Sequence, residues 1–187
     1  MKIIDTKIPE VKIIEPDVFG DHRGYFMETW SENKYEQLNF IPKQDNESFT
    51  AKKGTLRGLH FQQSPMAQAK IVRVTSGTVL DVAVDLRKGS PTYLQWVAVE
   101  LSAENKRQFF IPRGFAHGFL VLSDHAEFAY KCDDFYHPED EGGIMYNDED
   151  INIEWPEIDV EYTLSEKDGK HPTLKEANIK FERSENE

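Results

Sequence analysis

The run "TVLDVAVDLR", residues 78–87, constrains the fold more than any other stretch of the chain. Leu80, Val82, Val84 and Leu86 fall on one side of an extended strand, and Asp81, Ala83, Asp85 and Arg87 on the other. That alternation is the period of a β-strand with one apolar face and does not fit a helix. "KIVRV" (70–74) precedes it, and the intervening Ser76-Gly77 predicts a hairpin between the two runs. Further strands are expected in "GYFMETW", "TLRGLHFQ", "YLQWVAVEL", "RQFFIP", "GFLVLS" and "AEFAYKC". Only "SENKYEQLNF" (31–40) and the segment after Leu164 read as short helices. Strands recurring at intervals of about 8–12 residues predict an all-β antiparallel sandwich or barrel, best a jelly roll, with short peripheral helices. The 187 residues suit one domain spanning 1–187, with a core over about 3–175 and a fraying "ERSENE" end.

Charge excludes some partners. The net charge of −12 is set by residues 133–187, whose 18 acidic and 5 basic side chains give a net of −13. Residues 1–132 are nearly balanced, and no basic stripe offers a nucleic-acid surface. A local group of Arg and Lys still suits an anionic small molecule. No apolar run reaches the roughly 20 residues of a membrane span. "MKIIDTKIPE" lacks the apolar core and cleavage site of a secretory signal, and Cys132 is the lone cysteine. These features predict a cytoplasmic protein without disulfides.

Two glycine-flanked runs carry the chemistry. "GTLRGLHFQ" (54–62) holds Arg57 and His60; "IPRGFAHGF" (111–119) holds Arg113 and His117. Metal-binding β-barrels commonly pair histidines as His-x-His, but His60 is followed by Phe61 and Gln62, and His117 is flanked by Phe115 and Phe119. A two-histidine metal site, a core histidine and a proton-transfer base are therefore all compatible with the two runs. Proton transfer also needs an orienting carboxylate, a cation for the developing oxyanion and an acid on the far face. Residue types and spacing do not select among these readings.

Ordered motifs add a resemblance. "DHRGYFMETW" (21–30), "QDNESFT" (44–50), "GTLRGLHFQ", "AQAKIVRVTSGTVLDVAVDLRKGSPTY" (67–93), "IPRGFAHGFLVLS" (111–123), "AYKCDDFYHPEDEGGIMYND" (129–148), "IEWP" (153–156) and "LSEKD" (164–168) resemble, in order, the dTDP-4-dehydrorhamnose 3,5-epimerase family. The resemblance implies a metal-free and cofactor-free cupin-type jelly roll, usually a homodimer exchanging an N-terminal strand, acting on a nucleotide-sugar. It implies His60 as general base, Asp168 as its orienting carboxylate, Lys70 near the C4 carbonyl and Tyr130 as the opposing acid. Arg23, Glu28, Gln44, Asp45, Asn46, Arg57, His117, Glu141 and Lys167 match its nucleotide and phosphate contacts, and Tyr136 lines the pocket.

The implied reaction inverts C3 and C5 of dTDP-4-keto-6-deoxy-D-glucose to give dTDP-4-dehydro-L-rhamnose. Related chemistries on the same scaffold are single-centre epimerisation and 3,4-ketoisomerisation. A metal-dependent cupin oxygenase or a non-catalytic sugar-nucleotide module remain as alternatives from other classes. One geometric condition follows from spacing. Arg57 and His60, three apart, point to opposite faces of a regular strand, so a shared pocket requires a bulge at Gly58, or Arg57 must serve a partner's site.

Overall fold

The computed structural model describes residues 1–182. Its strands are β1 (Lys2–Asp5), β2 (Lys12–Glu15), β3 (Val18–Asp21), β4 (Gly24–Met27), β5 (Gln44–Thr50), β6 (Leu56–Gln62), β7 (Lys70–Asp85), β8 (Trp96–Ser102), β9 (Gln108–Ile111), β10 (Phe115–Cys132) and β11 (Glu141–Gly143). Two long strands organise the rest. β7 and β10 pair with each other along most of their length, and each changes its other neighbour partway. The first part of β7 pairs with β9 and the later part with β8. The first part of β10 pairs with β6 and the later part with β5. Such strand-switching at a bend folds one hydrogen-bonded network into two facing sheets. The result is a cupin-type jelly roll.

The bend lies where a hairpin was expected. Ser76-Gly77 does not reverse the chain: "KIVRV" and "TVLDVAVDLR" are one strand, β7. "GFLVLS" and "AEFAYKC" are likewise one strand, β10. Between the pairs Val121–Val79 and Ala126–Gly77, β10 carries extra residues that bulge outward. Gly77 has φ +81°, and a Cβ there would lie 2.1 Å from the His125 carbonyl oxygen. Only glycine fits this crossing.

Neither face of the second run is solvent-facing. Val79 and Ala83 join Val72, Val74, Phe109 and Phe128 in the main core. Val82, Val84 and Leu86 pack instead beneath Ile144, Ile151, Ile153, Ile179 and Phe181 of the later chain. Asp81, Asp85 and Arg87, on the opposite side of the strand, are all buried as well. Asp85 is held by Arg87 at 2.9 Å, Ser90 at 2.6 Å and Thr92 at 2.7 Å. The alternation holds, but both sides are covered: the polar side shares its face with Val79 and Ala83 of the main core, and the later chain covers the apolar side.

No α-helix forms among the described residues. The 31–40 run makes one 3₁₀ turn, Glu36–Leu38, ended by Asn39 at φ 47° with Pro42 close behind. It is too short to offset the cost of helix nucleation, and burial of Tyr35, Leu38 and Phe40 holds it instead. After Leu164 the chain makes a 3₁₀ turn at Asp168–Lys170, and Pro172 follows closely. The end expected to fray, apart from Glu182, lies outside the described residues. β3 and β4 form a separate two-stranded hairpin with Phe19, Tyr25 and Phe26 each more than half exposed.

Candidate active site

The condition on Gly58 is met. Between the pairs Phe119–Arg57 and His117–His60, β6 spends three residues against two on β10. Gly58 adopts φ +117°, and a Cβ there would lie 2.7 Å from the Gly118 Cα. This one-residue bulge brings Arg57 and His60 to the same side, where both line a cavity of about 220 Å³ with Lys70, His117 and Tyr130. A contiguous cavity of about 370 Å³ shares His60, Lys70 and Tyr130 and adds Gln44, Asn46, Tyr136 and Glu141.

His60 Nε2 lies 2.5 Å from Asp168 Oδ1. Asp168 sits at the start of its 3₁₀ turn, its backbone N–H donating to Ser165 Oγ at 3.0 Å, with the carboxyl almost wholly buried. Burial alone would raise its pKa, but the hydrogen bond and charge of His60, with help from Ser165 and His171, outweigh it and hold the group below its ordinary value. An ionised carboxylate only accepts, so Nε2 of His60 donates and Nδ1 keeps the lone pair. The ring is thus oriented for proton abstraction.

Lys70 opens β7 and pairs across to Cys132 of β10. Its ammonium lies 5.8 Å from the Tyr130 ring centroid, with no carboxylate in ion-pair contact among the described residues. Burial pushes its pKa down; the charges of Cys132, Asp81 and Glu141 oppose that shift without cancelling it. Tyr130 shares the inward face of β10 with Phe128, as the alternation predicts. Burial raises its pKa, which favours the protonated phenol that an acid requires. The Cys132 thiol is pushed up to about 11 by burial, which leaves it inert as a nucleophile.

Other expected contacts divide into two groups. Gln44 and Asn46 point inward from β5, joined by a 3.0 Å hydrogen bond. Tyr136 donates to Glu141 at 3.0 Å, and Lys167 bonds the same carboxylate at 2.6 Å. Burial would raise Glu141, but these two donors hold it low. His117 is buried against Asp81 at 2.9 Å and stacks near Phe128. Arg57 donates to Thr50 at 3.1 Å and keeps no carboxylate partner among the described residues, leaving its charge for an anion.

Three residues stand apart. Asp45 alternates with Gln44 and Asn46, so it faces the other side of β5 and pairs with Lys131 at 2.8 Å. Arg23 pairs with Asp21 at 2.5 Å on the exposed hairpin. Glu28 pairs with Lys34, also away from His60. Within one chain none of the three lines the His60 cavities.

Two side chains went unread in the sequence. Asp81, given no role by its place in the alternation, anchors His117. His171 was not considered; its Nε2 lies 3.2 Å from the Asp168 oxygen that holds His60, and its ring packs on Gly143, where a Cβ would come within 2.2 Å. The signals were present: two aspartates in an apolar strand, and a His three residues after an Asp. The donor atoms of His60, Asp168 and His171 lie within 4.8 Å of one another.

The family model described as dTDP-4-dehydrorhamnose 3,5-epimerase matches residues 5–176. This chain belongs to that family. The enzyme of that name from Salmonella typhimurium is 53% identical over 95% of this chain and 97% of its own length. A dTDP-6-deoxy-D-glucose-3,5-epimerase from Legionella pneumophila, solved with dTDP-4-keto-L-rhamnose, superposes with a TM-score of 0.92 at 50% identity, covering 98% of this chain and 99% of its own. A 3'-monoepimerase from Streptomyces bikiniensis, solved with dTDP-quinovose, has a TM-score of 0.85 at 34% identity, covering 91% of this chain and 87% of its own. The chain is accordingly an epimerase of this family.

Proposed function

We propose that this epimerase inverts C3 and C5 of dTDP-4-keto-6-deoxy-D-glucose, yielding dTDP-4-dehydro-L-rhamnose. The observation carrying the residue roles is that His60, held from behind by Asp168, lines the same cavities as Lys70 and Tyr130. A 4-keto group acidifies the protons on both neighbouring carbons. His60 removes one of them, and Asp168 stabilises the imidazolium that results. The Lys70 ammonium steadies negative charge on the C4 oxygen as the enolate forms. Tyr130 returns a proton to the opposite face, inverting the centre; before the second cycle its phenolate takes a proton from solvent and the His60 imidazolium gives one up. The steps consume and release one proton each, so no redox partner is required. Arg57 supplies an unneutralised cation for the diphosphate, with His117, Gln44, Asn46, Tyr136, Glu141 and Lys167 completing the pocket.

The assembly extends beyond one chain in this reading. The β3–β4 hairpin exposes Phe19, Tyr25 and Phe26 around Arg23, an apolar surface with a cation at its centre. In a homodimer it covers the partner, and Arg23 and Glu28 reach the partner's nucleotide instead of their own. Asp45 serves the rim through Lys131 rather than the ligand. No helix of the described residues is long and apolar enough to cross a membrane, and the enzyme acts in the cytoplasm in this proposal.

Incubation of the 4-keto-6-deoxyglucose nucleotide in heavy water tests the reaction. Deuterium at both C3 and C5, with the L-lyxo product, is expected, and turnover survives chelation of metals. Exchange at one carbon alone would instead match the single-centre reading that the Streptomyces bikiniensis relative favours. With His60→Ala, neither exchange nor inversion is expected, since no enolate forms; persistent exchange would remove His60 as the base.

A further inference from the structure

We infer that His60, Asp168 and His171 form a binding site for a borderline divalent cation such as Zn²⁺, which switches the epimerase off by occupying its base. The three donors converge from β6, from the 3₁₀ turn and from the residue just beyond it. Asp168 Oδ1 already receives His60 Nε2 at 2.5 Å and His171 Nε2 at 3.2 Å. Two imidazoles and a carboxylate are the ligand types zinc selects, and three protein ligands with one open position are a common zinc arrangement. Bonds of about 2.0–2.2 Å place tetrahedral ligand atoms roughly 3.3 Å apart. The His171–Asp168 separation is close to that, and the His60–Asp168 hydrogen bond opens by under about 1 Å.

The surroundings fit a closed cation site with one accessible face. His171 is nearly buried and its ring is wedged against Gly143. Asp168 is likewise buried, whereas about a third of the His60 side chain stays exposed toward the cavity. Lys167, whose positive charge acts on His171, is paired with Glu141 at 2.6 Å. A metal on Nε2 of His60 displaces the hydrogen that Asp168 now accepts, and in the neutral ring that single proton moves to Nδ1. That removes the lone pair that abstracts the sugar proton. The inhibitory consequence rests on His60 being the base; the binding itself rests only on the three donors.

Chelator-treated protein titrated with zinc by calorimetry tests the site, with Co²⁺ as a spectroscopic probe. One metal per chain is expected, tetrahedral Co²⁺ bands, and a zinc anomalous peak among the three side chains. His171→Ala should weaken binding at least tenfold, and His171→Gln, which keeps the volume near Gly143, should do the same. Absence of binding, a peak at another cluster such as His137 with Asp140, or unaltered affinity in a folded His171 variant would overturn the inference. Zinc should also suppress deuterium exchange in heavy water, with EDTA restoring it. Zinc bound at these residues with exchange unimpaired would leave the site standing and remove His60 as the base. Absent zinc binding with normal exchange would sink only the metal site.

Discussion

At the scale of single residues, the cavity contains two kinds of histidine. His60 is oriented by an ionised carboxylate and partly exposed, whereas His117 is buried on Asp81. Asp168→Asn keeps the shape but loses the charge that stabilises imidazolium. Turnover is expected to fall far more than nucleotide affinity, measured as kcat against the Kd for the nucleoside diphosphate. Near-normal turnover would reduce Asp168 to a turn residue. Tyr130→Phe leaves the base and Lys70 in place, so the enolate still forms. Deuterium exchange should persist while inversion falls about 10²–10⁴-fold, the usual loss of a general acid. Arg57→Ala should weaken dTDP binding by about 1.5–3 kcal/mol, the worth of a charge-assisted contact, and unchanged affinity by calorimetry would exclude Arg57 from the site.

At the scale of elements, bulges set where side chains point. Gly58 lets β6 present Arg57 and His60 together, and its missing Cβ leaves room for the Gly118 backbone. Gly58→Ala forces either a strained φ or a separation of β6 from β10. It is expected to cost about 1–3 kcal/mol of stability in denaturant unfolding, and to lower turnover because Arg57 and His60 lose their common face. A stable, fully active Gly58→Ala enzyme would show that the bulge survives without glycine. The run that predicted a hairpin at Ser76-Gly77 misled for a related reason: a glycine at positive φ marks a turn or a bulge equally well. What distinguishes them is whether another strand crosses at that point, and β10 does.

At the scale of the whole molecule, buried charge ties stability to pH. Burial would raise the Asp85 carboxyl, but Arg87, Ser90 and Thr92 outweigh it and hold its pKa below the usual range. A depressed folded pKa contributes stability that is fully present above the unfolded carboxyl value, near 3.9, and is lost as pH falls through the folded one. Thermal unfolding should therefore show a loss of Tm below about pH 4 that Asp85→Asn reduces, while lowering Tm at neutral pH. An acid limb identical in the variant would place the sensitivity elsewhere. The exposed hairpin bears on assembly. Phe19→Asp with Phe26→Asp should shift sedimentation toward the monomer and lose turnover together, because Arg23 and Glu28 would no longer reach a partner's site. An active monomer would sink the shared-site reading.

The sequence by itself determined that this chain is β-rich, because side-chain alternation is a local property of extended backbone. Ordered motifs likewise marked the family and singled out His60, Lys70, Tyr130 and Asp168. Only the tertiary structure decided that neither face of the 78–87 strand meets solvent, since that depends on the later chain covering Val82, Val84 and Leu86. It also brought Asp168 and His171 onto a histidine more than 100 residues earlier, a meeting no local preference encodes. It turned Asp45 away from Gln44 and Asn46 and left Arg23 and Glu28 on or beside the exposed hairpin, because pleat and sheet pairing, not residue type, decide where a charged side chain ends.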